Sequence, residues 1–236
     1  FYVDAQNGND ANDGLSRTKA KKTIQAAIDA ALPGETVTVL AGRYKPIVCN
    51  NKKIAIVSER GASETFIDAA NTNVCCAMLS ASYSGTNTLL RGFTLCNADY
   101  ESPYWYSNGG GVCYGTLEDC VITNCCVRNS DTARGGACYN GVLRRCLIVD
   151  NRAVGDDACG GGCYQSELYD CVLMYNTCEG RYSEGGGSYY GTLVNCTLCD
   201  NVATNGGGAY YGTLKNCIVW RNQGRSGYDN IYYSTC

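Results

Sequence analysis

The spacing of apolar and polar positions changes part-way along this chain. Residues 1–22 (FYVDAQNGNDANDGLSRTKAKK) open on a short strand pattern and run into a polar Asn/Asp/Gly loop. Over 23–32, TIQAAIDAAL, apolar residues recur at helical spacing. Ile24, Ala27, Ile28 and Ala31 fall on one face, Thr23 is placed to cap the N-terminus, and Pro33-Gly34 ends the helix. From Glu35 the period drops to two. ETVTVLAGRYKP alternates Val37, Val39 and Tyr44 as a strand does, and KKIAIVSERG and ETFIDAANTN continue in that style. NTLLRGFTLCN, residues 87–97, is a degenerate first copy of a longer pattern, with Leu90 and Phe93 at its apolar positions.

That pattern is then written five times between Gly109 and Asn222: GGGVCYGTLEDCVITN, GGACYNGVLRRCLIVDN, GGGCYQSELYDCVLMYN, GGGSYYGTLVNCTLCDN and GGGAYYGTLKNCIVWRN. Units of 21 to 26 residues cannot bury an apolar face alone, so they must stack into a solenoid. Aligned on Gly111, Ala137, Gly162, Gly187 and Gly208, the copies share three apolar columns that face a common core. These are Leu117/Leu143/Leu168/Leu193/Leu214, the ladder Cys120/Cys146/Cys171/Cys196/Cys217, and Ile122/Ile148/Leu173/Leu198/Val219. Two inward residues three apart require a bend between them. The intervening column, Asp119/Arg145/Asp170/Asn195/Asn216, holds mostly the Asn and Asp that tolerate a left-handed backbone. A second polar column, Asn151/Asn176/Asn201/Asn222, is placed to hydrogen-bond from coil to coil at a rise of about 4.8 Å.

The string L-x-x-C-x-I-x-x-N also fits a leucine-rich repeat. A Gly triplet and an aromatic strand stand where that architecture has its helix, and Asn201–Asn205 leaves no room for a helical turn. The expectation is therefore an all-β chain: a right-handed parallel β-helix of roughly eight or nine coils with an N-terminal capping helix. It forms one domain over 1–236. Residues 1–34 are strand, loop and cap, 35–108 irregular coils, 109–222 the five repeats, and 223–236 a last strand with an uncapped end. Open strand edges there imply either a longer parent chain or docking on a partner.

Charge and composition narrow the function. Acids exceed bases by three, 22 against 19, which leaves no electrostatic footprint for nucleic acid or an anionic membrane. No apolar run approaches the roughly 20 residues of a membrane span. No signal peptide is visible, and Phe1 reads as the start of a processed or trimmed chain if the protein is secreted. The absence of histidine removes Ser-His and Cys-His nucleophiles and His-containing zinc sites. Eighteen cysteines favour an oxidising, extracellular setting with several disulfides. Cys138 and Cys163 share a column on consecutive coils and are the best single pair. The Cys120–Cys217 column has an odd number of members and reads mostly as buried free thiols.

With these residues in view, the chain resembles the right-handed parallel β-helix superfamily that includes pectate lyases and related polysaccharide enzymes. YVDAQNGNDANDG followed by TIQAAIDAALPGETVTVLAGRYKP is similar to the capping helix and first coils of such solenoids, and the later copies resemble Gly/Cys-rich repeats of large bacterial surface proteins. The resemblance covers almost the whole chain. It implies a fold and leaves activity open among lyases, hydrolases, adhesins, phage spikes and surface proteins.

Candidate chemistry follows from both readings. Family lyases use a basic residue near calcium-holding acids, which points to Arg144 and Arg145 between Asp119 and Asp170. Asp150 and Asp200 share a column at about twice the coil rise, near the upper spacing of an inverting carboxylate pair, but Tyr175 stands between them. The bland alternative is an exposed ladder of alternating charge. Tyr139, Tyr164, Tyr189 and Tyr210 alternate with small inward residues, so they are expected to point outward, either to stack on sugar rings or to hold strand register. Tyr114, Tyr190 and Tyr211 form an adjacent column of undecided direction. No CxxC…CxxC pairing suggests a metal site. Calcium at the Asp4–Asp13 loop lacks EF-hand spacing, and Asn195-Cys196-Thr197 is a formal glycosylation sequon whose centre lies in the Cys ladder. The leading expectation is a non-catalytic extracellular structural or adhesive rod without cofactor. Its expected partners are copies of itself, with Cys236 available for cross-linking, or cell-surface polysaccharide. A polysaccharide lyase or hydrolase and a carbohydrate-binding module built on the tyrosine row are the alternatives.

Overall fold

The structure is a computed structural model and describes residues 1–80 and 88–235; Cys236 lies outside the described residues. Every strand pairing in it is parallel and joins one coil to the next. The chain is a right-handed parallel β-helix. A first sheet of nine strands runs from Tyr2–Val3 through Thr116–Glu118 to Thr213–Lys215. A second sheet of eight strands runs from Gly42–Tyr44 to Ile218–Trp220, and a third of eight from Ile47–Val48 to Ile231–Tyr232.

Register follows the sequence columns. Leu117 pairs with Leu143, Ile122 with Ile148, and Cys138 with Cys163. The Leu and Ile/Leu columns are fully buried from Leu90 and Leu95 to Leu193 and Leu198. Each such side chain contributes about 1.5–3 kcal/mol by leaving water. The first coil is closed by the helix Ile24–Ala30, which buries Ile24, Ala27 and Ile28. Thr23 caps it by accepting from the Ala26 N–H. Asp10 in turn accepts from the backbone N–H groups of Lys22 and Thr23 and from the Thr23 hydroxyl. The polar Asp4–Asp13 loop thus serves as a clasp for the cap. The helix stops at Ala30, short of the expected Leu32, because Ala31 already has extended backbone angles.

Each repeat coil turns three corners on single left-handed residues. Asp119, Arg145, Asp170, Asn195 and Asn216 form one row, with φ between 51° and 56°. Asn124, Asp150, Tyr175, Asp200 and Arg221 form a second, and Tyr114, Asn140, Gln165, Tyr190 and Tyr211 a third. Inside the first corner each ladder thiol donates to the Leu carbonyl one coil below: Cys120 to Leu90, Cys146 to Leu117, Cys171 to Leu143 and Cys196 to Leu168, at 3.5–3.7 Å. Inside the second corner the Asn column does the same with an amide. Asn176 Nδ2 donates to the Ile148 carbonyl and to Asn201 Oδ1, both at 2.9 Å, while its own Oδ1 accepts from Asn151. Cysteine and asparagine here solve one problem, the carbonyl freed where a strand ends inside a dry core.

One feature goes beyond the three-sheet solenoid. Between the second and third sheets the chain makes an arm of two further sheets. One runs from Asp99–Glu101 to Gln223–Gly224, the other through Tyr106–Asn108, Thr132–Arg134 and Asp157–Cys159. The arm has its own small core of Val127, Ala133, Ala153, Ala158, Cys178 and Ala203, and lies against the outer face of the third sheet.

Candidate binding cleft

The arm decides what the outer face of the third sheet can do. Tyr139, Tyr164, Tyr189 and Tyr210 point away from the central core, as alternation requires, yet the expected exposure does not occur. Tyr139, Tyr164 and Tyr210 are only 4%, 9% and 7% exposed. Tyr139 and Tyr164 pack with Cys159 of the arm, and the Arg134 guanidinium lies 5.4 Å from the Tyr164 ring centre. Their rings stack on one another at 5.2–5.4 Å with interplanar angles of 5–12°. Each inner ring face is therefore covered by the next tyrosine, and the row holds coil register. Tyr190, Tyr211 and Tyr233 form the exposed row instead, also stacked.

Facing the buried tyrosines, Asn108, Arg134, Cys159 and Glu184 are register neighbours along the arm. Burial pushes the Glu184 carboxyl up, while hydrogen bonds from Tyr210 and Tyr189 partly offset that shift. Burial likewise raises the hydroxyls of Tyr189 and Tyr210.

The charged candidates do not converge. Arg145 donates to both oxygens of Asp119, at 2.7 and 3.2 Å, and reaches Glu118 at 3.6 Å. That hydrogen bond holds the Asp119 carboxyl below its usual range and the guanidinium above its own. Arg144 lies 4.5 Å over the Tyr169 ring, and Asp170 accepts from Asn195 Nδ2. Asp200 is occupied by Arg221. Arg145–Asp119 and Arg221–Asp200 are separate ion pairs on two different corner rows. The sequon residue Asn195 belongs to the first of these rows, bonded to Asp170 and Asn216.

Cys138 and Cys163 are register partners but are not joined, and no disulfide is present among the described residues. Cys120, Cys146, Cys171 and Cys196 likewise carry free thiols. Among the described residues no group of three or more Cys, Asp or Glu is arranged to hold a metal ion.

A recess lies where the arm begins. It is a cleft of about 290 Å³ whose walls include Tyr100, Tyr104, Tyr106, Asn108, Tyr114 and Tyr139. Beside it, Tyr104, Trp105 and Tyr106 are 74%, 81% and 54% exposed. Asn129, buried one coil above, fixes this loop by donating to the carbonyls of Tyr104 (2.7 Å) and Ser102 (3.3 Å). Sequence reasoning passed over these aromatics. The signal available was Pro103 followed by three aromatic residues in the spacer between Asn97 and Gly109.

No protein-family model matches this chain, and no curated protein matches it. Among solved structures it is similar to a rhamnogalacturonan lyase, at 14% identity and a TM-score of 0.49, over 100% of this chain and 59% of that one. A pectin methylesterase from carrot matches at 12% identity and a TM-score of 0.45, over 92% of this chain and 82% of the other. The A-module of a mannuronan C-5 epimerase from Azotobacter vinelandii matches at 15% identity and a TM-score of 0.48, over 95% and 72%. The chain thus spans about three fifths of the lyase's length. Among the described residues no helix is long and apolar enough to cross a membrane.

Proposed function

We propose that this protein is an extracellular adhesive rod, non-catalytic, that attaches to cell-surface polysaccharide through the aromatic loop of its arm. The observation that carries the reading is the triplet Tyr104-Trp105-Tyr106, held out from a rigid solenoid by the buried Asn129. Exposed aromatic rings on a braced loop supply contact area at low cost in ordering. The stacked ladders on the third sheet have their faces occupied and offer no such surface. The lyase reading finds less support, because Arg144 and Arg145 are spent on Tyr169 and Asp119 at an exposed face.

The test is retention of the protein by insoluble cell-wall polysaccharide, with Trp105→Ala as the variant. Its side chain is 81% exposed, so folding is unaffected. The expected outcome is a loss of retention of about tenfold, in keeping with the removal of one large aromatic anchor. Equal retention of wild type and variant sinks the proposal.

A further inference from the structure

The geometry points to a modification site at the foot of the third sheet: Cys75 is a reactive thiol that exchanges with small organic disulfides and then closes a bridge to Cys113 on the next coil. This goes beyond the adhesive reading and does not depend on it. Several thiols of this chain have another thiol as neighbour. Cys76 Sγ lies 4.0 Å from Cys125 Sγ, Cys138 is the register partner of Cys163, and Cys120, Cys146, Cys171 and Cys196 run on as the core ladder. All of these are 0–2% exposed, out of reach of an oxidant in the folded chain. Cys75 differs, because a cleft opens onto it.

Cys75 precedes the strand Ala77–Met78, whose register partners on the next coil are Val112 and Cys113. With Val48, Val74, Met78 and Tyr100 it forms the wall of a cleft of about 260 Å³. Val48 and Val74 are 41% and 46% exposed, so the cleft is open to solvent. No acidic or basic side chain lines it, which suits an uncharged reagent. On its inner side the Cys75 and Cys113 side chains hydrogen-bond to each other, with Cys113 as donor. That hydrogen bond draws the Cys75 thiol below its ordinary value against the effect of burial, and the backbone N–H groups of Cys75 and Ala77 act in the same direction. The same hydrogen bond, with burial, pushes the Cys113 thiol up. The Asn108 carbonyl, 3.2 Å from Cys113 Sγ, is a second acceptor for that proton and keeps it on Cys113. One sulfur is held ready as the thiolate and the other as its resolving thiol.

The Cys75 thiolate attacks one sulfur of a disulfide RS–SR. The Cys75–SR bond forms, the reagent's S–S bond breaks, and RS⁻ leaves. Cys113 gives its proton to that RS⁻ and attacks the Cys75 sulfur, which releases the second RS⁻ to take up the proton that Cys75 lost on ionising. The two thiols are oxidised by two electrons and the reagent is reduced to two RSH. The bridge ties the second coil to the third where the arm begins.

In the test, the intact chain is reduced, freed of reductant and incubated folded with bis(2-hydroxyethyl) disulfide, and its bridges are mapped by mass spectrometry over time. The Cys75–Cys113 bridge is expected to be the first internal disulfide, about tenfold ahead of any other pair. Cys113→Ala is expected to stop at the mixed disulfide on Cys75, and Cys75→Ser to leave Cys113 unmodified. The bridged protein is expected to unfold at a higher urea midpoint than the reduced protein. A first bridge at any other pair overturns the inference, as does folded wild-type protein whose Cys75 stays unmodified or carries the reagent without passing to Cys113. The wild-type map decides the matter even where a variant fails to fold, and loss of polysaccharide retention has no bearing on it.

Discussion

At the scale of single residues, the interior is held by polar atoms that read as apolar or incidental. The Cys ladder is buried from Cys120 to Cys196 as its column position requires, and each thiol also donates to a carbonyl that the corner releases. Cys125 occupies the Asn column and donates to Leu95, as Asn151 does to Ile122 one coil later. The columns were legible because a side-chain period persists across coils. The donor role was not, since no composition rule separates a thiol used for packing from one used for bonding. The eighteen cysteines also pointed to disulfides, and Cys138 and Cys163 stand as register partners without a bridge. Free buried thiols have a consequence for pH. Burial raises Cys49 to about 12 and Cys126 to about 11, and it raises the Tyr44 hydroxyl to about 12. In the unfolded chain thiols ionise near pH 8.5. The folded state therefore holds protons that the unfolded state has released. Stability is fully present below about pH 8.5 and is lost as pH rises through the folded values. Urea unfolding at pH 8, 10 and 11 is expected to show a steep fall in midpoint, with a shallower fall in Cys126→Ala. A midpoint unchanged to pH 11 contradicts this account.

At the scale of elements, the three-sheet solenoid could be read from the sequence and the arm could not. Its strands, such as Thr132–Arg134 and Asp157–Cys159, lie in the spacers between copies, which differ in length and share no aligned column. Its core is made largely of alanines, Ala133, Ala153, Ala158 and Ala203, which carry little apolar signal. Alternation correctly turned Tyr139 and Tyr164 away from the central core. It said nothing of a second layer covering them. The Gly triplets mark where the arm meets the third sheet. Gly160 has φ 68°, and a Cβ there would come within 2.3 Å of the Cys163 carbonyl oxygen. The arm also depends on small side chains, so Ala158→Leu overfills it at a cost of about 1–3 kcal/mol. Because the arm has its own core, that cost is expected to appear locally. Hydrogen exchange should rise over Arg152–Cys159 while Val172–Met174 of the second sheet stays protected. A uniform loss of protection, or none, shows that arm and solenoid do not open separately.

At the scale of the whole molecule, every coil is stabilised chiefly by the coils above and below it, so a defect matters according to its place in the stack. Leu168 is fully buried between Leu143 and Leu193, its register partners on both sides. Val219 has its strand partner Leu198 on one side and is only partly buried, beside Ile218 and Trp220 at 64% exposure each. Leu168→Ala leaves a cavity that two neighbouring coils share, at a cost of about 3–5 kcal/mol. The same loss of protection should spread into the strands Val142–Arg144 and Thr192–Val194, since each coil lends its stability to the next. Val219→Ala removes less volume from a site with one stacked neighbour and should cost about 1 kcal/mol, confined to Thr213–Trp220. Equilibrium unfolding with residue-level hydrogen exchange measures both effects. Equal costs at the two sites would mean that the chain unfolds as one cooperative unit, and the nearest-neighbour account of the solenoid would have to be given up. On the proposed adhesive reading the difference bears on attachment, because the aromatic loop springs from Asp99–Tyr106, in the third coil, well away from the less protected Thr213–Trp220 strands. The proposed binding loop is therefore expected to keep its protection when Val219→Ala loosens the Thr213–Trp220 strands.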